Sequence, residues 1–166
     1  MTDREREDLI THMADQRRLF QITVRGIDDD QARQRTTVSE LTLGGLLHHI
    51  IATERHWTTV LIERDETAEF DVSELDSAHR MAPEETVSGL LAEWDALADQ
   101  TEKLIRELDS FDARVPIPTA PWAPERQYWP VRHVLYNLFR EFAHHSGHAD
   151  IIREALDGAN TTQQRV

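Results

Sequence analysis

Four stretches of this chain repeat apolar residues every three or four positions, and in the last of them polar groups fall in phase with the apolar side. Between Pro130 and Leu156, the residues Val131, Val134, Leu135, Leu138, Phe142, Ala149 and Ile152 form one stripe. That period predicts an α-helix packed along one side. Glu141 and His145 continue the stripe instead of opposing it, and His148 follows within it. Positions i, i+4 and i+7 project from nearly the same side of a helix. A carboxylate turned into a helical core without a partner is costly and rare. Ligands and supporting groups for a divalent metal explain the three side chains better than packing does. A metal-free Glu–His pair inside the bundle is the competing reading.

The other three patterns have the same character. The first runs from Asp3 to Arg25, with Leu9, Met13, Leu19, Phe20 and Val24 on its apolar side, and is stopped by Gly26 and the acidic run after it. The second opens at Ser39 or Thr42, either of which suits an N-cap, and continues to Arg64. The third is expected to begin at Pro83, with Glu84 and Glu85 in its first turn, and to reach Leu108. The last stops at Asp157-Gly158. No segment reads as a strand. A polar, acidic connection spans 65–82, and a proline-rich one spans 111–129. Connections of that length inside a compact domain are often functional. The expected architecture is all-α: a four-helix bundle with long connections, one domain over 1–158 and a flexible tail over 159–166.

Composition removes several classes of function. A net charge of −13 argues against nucleic acid, which needs a basic stripe. No apolar run approaches the roughly 20 residues of a membrane span. The charged opening MTDREREDL does not fit a signal peptide, so the expected location is cytoplasmic. The chain has no cysteine. Disulfides and thiolate metal sites are thereby excluded, and any nucleophilic thiol must belong to a substrate or cosubstrate.

Among nine histidines, spacing leaves some choices open. His144 and His148 form an i, i+4 pair that competes with His145, and either His48 or His49 suits a ligand from the second helix. His12, His79 and His133 read as ordinary surface or packing residues. One Glu and two His from two helices would leave coordination positions open, the layout of a catalytic metal. Imidazole and carboxylate suit zinc or nickel.

The segments LTLGGLLHHIIATERHW and YWPVRHVLYNLFREFAHHSGHADIIREALDG resemble the DinB-like superfamily of metal-binding four-helix bundles. They look closest to the branch whose last helix reads Glu-x-x-x-His-x-Gly-His-x-Asp-x-x-Arg-Glu. Glu141, His145, Gly147, His148, Asp150, Arg153 and Glu154 all fill that pattern. The resemblance implies a metal triad of His49, Glu141 and His145, and so favours His49 over His48. Many relatives carry His where Glu141 stands, whereas the related mycothiol-dependent maleylpyruvate isomerase uses Glu. Asn137 departs from close relatives that carry His.

For activity, the resemblance implies a metal-dependent thiol S-transferase. Its cofactor would be a divalent metal, zinc ahead of nickel, and its cosubstrate a low-molecular-weight thiol of the mycothiol or bacillithiol type. Its substrates would be small electrophiles. His148 is the expected catalytic participant, orienting a metal-bound group or moving a proton. Arg132, Arg140 and Arg153 could meet a substrate carboxylate, or serve as helix charges paired with acidic neighbours. Trp122, Tyr128 and Trp129 could cover the pocket or anchor their loop. A metal hydrolase would use the same open site to activate water. A third reading is a non-catalytic metal-binding or stress-response module, with a homodimer burying an exposed helix face.

Overall fold

The computed structural model describes residues 3–75 and 77–165. Its elements run α1 (Asp3–Thr23), α2 (Asp29–Ala32), α3 (Leu43–Glu63), a 3₁₀ turn (Val72–Glu74), α4 (Val87–Glu107), β1 (Arg114–Ile117), β2 (Gln127–Pro130), α5 (Val131–Asp157) and α6 (Thr161–Gln164). The four long helices form the expected bundle. α1 and α3 each pack against both α4 and α5, so α1 and α3 lie diagonally across the core. Met13, Phe20, Leu47, Ile50, Trp94 and Phe142 fill it and are almost wholly shielded from solvent. Among the described residues no helix is long and apolar enough to cross a membrane.

Local signals set most helix ends. Thr42 accepts the Gly45 N–H at the start of α3, and Thr86 does the same for Gly89 at the start of α4. Gly158 closes α5 in the left-handed region, at φ 82°. Helix α4 begins at Val87 and not at Pro83, because the residues before it are committed elsewhere. The Glu85 carboxylate accepts from the Ala82 N–H (2.7 Å) and meets His48 Nδ1 (2.8 Å). Arg33 donates to the Ala82 and Glu85 carbonyls, at 2.7 and 2.8 Å.

The proline-rich connection contains the antiparallel hairpin β1–β2, with Val115 opposite Trp129. Its apolar residues do not alternate, which hid the strands. Backbone bonds tie it to the acidic connection: Phe70 N–H to the Thr119 carbonyl (2.8 Å) and Thr119 N–H to Ala68 (3.1 Å). Arg126 reinforces the join by donating to the carbonyls of Ala68 and Ile117. After Gly158, where a flexible tail was expected, α6 is capped by Asn160. It is anchored by Thr161, whose N–H and hydroxyl both donate to Asp150.

The centre of the bundle is polar at one point. Glu54 on α3 is 0% exposed. It accepts from Arg17 Nε (3.2 Å) and Nη2 (2.6 Å) on α1, and from Trp94 Nε1 (2.7 Å) on α4. The Arg17 guanidinium lies over the Phe142 ring of α5, 5.2 Å from its centroid. All four long helices therefore meet at one ion pair. Removing one member leaves an uncompensated buried charge, so Arg17→Ala or Glu54→Ala should cost about 3–5 kcal/mol in denaturant unfolding. Arg17→Met combined with Glu54→Leu should cost much less than the sum of the single changes.

Candidate metal centre

Helices α3 and α5 and the acidic connection each bring one imidazole to a common point. His49 and His79 stack, with centroids 4.0 Å apart and planes 19° from parallel. His145 meets His49 edge-on at 4.7 Å. One ring nitrogen from each of the three lies within 4.8 Å of the others. A second trio, Glu141, His144 and His145, meets the same limit, so His145 belongs to both. His145 Nε2 is 3.4 Å from Glu141 Oε2, and its Nδ1 is 3.4 Å from His148 Nδ1.

Of the residues expected from sequence, His49 and His145 come together, and Glu141 sits beside His145. His148 touches His145 but lines neither of the two cavities next to the cluster. His48 turns away to Glu85. His79 reads from sequence as an ordinary residue, yet here it stacks on His49. It sits in an irregular segment, where periodicity offers no signal. The usable clue was the Gly44-Gly45 pair. A Cβ on Gly45 would lie 2.1 Å from the His79 carbonyl oxygen, and one on Gly44 would lie 2.5 Å from Met81 Sδ. Only bare backbone in the first turn of α3 lets the 79–81 strand of chain approach so closely.

The arginines are largely committed. Arg153 donates to the carbonyls of Thr23 and Arg25 and to Asp157, closing the end of α1 onto α5. Arg132 pairs with Asp112, and Arg140 with Glu141. Asn137 lines neither cavity. Trp129 lines an aromatic cleft between α3, the acidic connection and the hairpin, together with Trp57, Phe70 and Trp122, and Tyr128 is tied to Glu66 at 2.6 Å.

The electrostatics favour neutral rings at His49 and His79 and an ionised Glu141. Burial first, then the neighbouring His79 and His145, push His49 down to about 4. Burial and His145 lower His79 as well. Hydrogen bonds from His145 and then Arg140 hold Glu141 down to about 2. Burial, His144 and His145 lower His148. Neutral imidazoles and an ionised carboxylate are the forms that coordinate a metal. The donor set therefore fits a divalent ion of the zinc or nickel kind.

The four-helix bundle is of the all-α kind found in the DinB-like superfamily. Residues 8–158 match the family described as mycothiol-S-transferase, and the chain belongs to that family. No curated protein matches it.

Two outcomes follow for the metal-stripped protein. Gly45→Ala forces the His79 segment outward and should destabilise the fold by about 1–3 kcal/mol in denaturant titration. Protonation should also unfold it selectively. The unfolded chain takes up a proton on His49 below about 6.5, whereas the folded one resists until about 4. Stability should thus fall as pH drops through that window. His49→Gln should flatten this part of the melting temperature–pH curve; an unchanged slope would remove His49 as its source.

Proposed function

We propose that this protein is a metal-dependent S-transferase that joins mycothiol to a small electrophile. The observation that carries the reading is the convergence of His49, His79 and His145 beside two cavities, of which His49 and His79 line both and His145 the one along α5. Membership of the mycothiol-S-transferase family supplies the cosubstrate class. The absence of cysteine is consistent with it, because the reacting sulfur then comes from the cosubstrate alone.

In this reading His49, Glu141 and His145 hold the ion, and His79, stacked on His49, stands as a further donor. A bound Lewis acid lowers the pKa of a thiol and makes thiolate available near neutral pH. The chain's own residues do the rest. Arg140 and His145 keep Glu141 ionised, through contacts of 2.6 and 3.4 Å. His148 Nδ1 lies 3.4 Å from Nδ1 of His145, where a hydrogen bond between the two rings would hold the His145 ring in orientation. It acts as a positioning residue.

The purified protein should carry about one zinc or nickel ion per chain by elemental analysis, as expected for a single site. His49→Ala and Glu141→Ala should each abolish this; full occupancy in either variant would overturn the ligand set. His148→Ala and His79→Ala should weaken metal binding by about 10- to 100-fold without unfolding the bundle. With mycothiol and monobromobimane, the metal-loaded protein should form the thioether and the stripped protein should not. Turnover that proceeds equally without any thiol would point instead to a hydrolase.

A further inference from the structure

Neighbouring histidines of α5 sit in opposite surroundings. His145 is buried, whereas His144 is open to solvent. Their rings nonetheless lie close, with centroids 5.0 Å apart and planes 33° from parallel. Glu141, His144 and His145 each place one donor atom within 4.8 Å of the others. Helix α5 thus carries a three-donor set of its own, outside the trio that His145 forms with His49 and His79. His145 belongs to both sets.

A metal site enclosed by side chains needs an entry path. All the donors of both sets, His49, His79, Glu141, His144 and His145, border one cavity of about 950 Å³ along α5. Of these five, the cleft beside the hairpin reaches only His49 and His79. A cation arriving through that cleft would meet two imidazoles. Along α5 it meets donors graded by depth, from exposed His144 through half-buried Glu141 to buried His145. Depth matters because a divalent ion holds its water strongly. Stripping the shell in one step is costly, and replacing waters by protein donors one at a time avoids that cost. Arg140 does not block the path: it pairs with Glu141 Oε1 at 2.6 Å and leaves Oε2 turned to His145 Nε2, at 3.4 Å.

Resting on the metal centre of the proposed function, we propose that Glu141, His144 and His145 form an outer cation site through which a divalent ion enters and leaves. His144 meets the ion first, from solvent. His49 then replaces His144 while Glu141 and His145 keep their hold, and His144 returns to solvent. His144 is therefore a transient ligand. It eases loading and release alike and adds nothing to the final affinity, because it lets go of the ion once His49 has taken over.

Loading can be read without turnover. Cobalt(II) uptake by the metal-stripped protein is followed by visible absorbance in a stopped-flow instrument. Its extraction is followed with EDTA, and its Kd is measured by competition with a chelating dye. His144→Ala should slow uptake and extraction several-fold and by the same factor, so that Kd matches the parent. His144→Cys, which restores a donor atom, should recover most of both rates. His12→Ala, which removes an exposed histidine of α1, should leave them unchanged. Circular dichroism verifies that each variant is folded, and the Cys variant keeps the test open if the Ala variant unfolds. Parent rates in His144→Ala overturn the proposal. A raised Kd with unchanged uptake also overturns it, because His144 would then be a permanent ligand. Equal slowing in His12→Ala overturns it as well, since any surface histidine would then serve. A parent protein that takes up no cobalt sinks the metal centre itself and the route with it. Thiol transfer enters neither readout, so its failure would sink the transferase reading and leave the route standing.

Discussion

The Glu54 carboxylate sets the frame for everything else. Buried at the centre of the bundle, it is neutralised by Arg17 of α1 and bonded by Trp94 of α4, while Arg17 rests on Phe142 of α5. An ion pair of this kind adds little net stability over an apolar pair, but it tolerates few arrangements, since any slip strands a charge. With Glu54 held inward, the rotation of α3 is fixed. His49 lies five residues earlier, roughly 140° around the helix, and so faces the flank where the acidic connection passes. Phe142, under the Arg17 guanidinium, likewise fixes α5, and Glu141 and His145 follow from it.

Around that frame the two long connections do the positioning that helices cannot. The acidic connection is held down at two places, by Arg33 on the Ala82 and Glu85 carbonyls and by the Glu85–His48 contact. Just before them, residues 79–81 cross the bare backbone of Gly44 and Gly45, which brings His79 over His49. The hairpin pairs with the same connection through Phe70 and Thr119. The aromatic cleft is thus built from segments far apart in sequence and closed by a few backbone bonds. Crowding of the imidazoles has an electrostatic result. His79 and His145 disfavour protonation of His49, His145 disfavours that of His79, and Glu141, with Arg140 and His145 beside it, stays ionised. His49, His79 and Glu141 thus favour the protonation state that a metal requires.

Glu141, His145 and His148 were recognisable because they lie on one helix, where period alone decides which side chains share a side. His49 needed the resemblance to distinguish it from His48, since neighbouring positions on α3 point to different sides and the pattern permits either. The four long helices and the bundle were evident from apolar period, and the caps at Thr42 and Gly158 from local signals, whereas the short α2 and α6 were not. His79 was not, nor were Arg17 and Glu54 as a pair. Arg17 and Glu54 are charged residues in amphipathic helices, and nothing local separates a buried ion pair from two solvated charges.

By itself, then, the sequence determined four amphipathic helices, the side of the last one that carries Glu141, His145 and His148, and the absence of any thiol of its own. These are local properties, governed by helical period, capping and composition. Tertiary structure alone decided that Glu54 would be the polar centre, that His79 would join His49 and His145, and that a proline-rich connection would form a hairpin walling an aromatic cleft. Each of those depends on contacts between residues distant along the chain. Such contacts form only where the whole packing makes close approach and charge pairing favourable together.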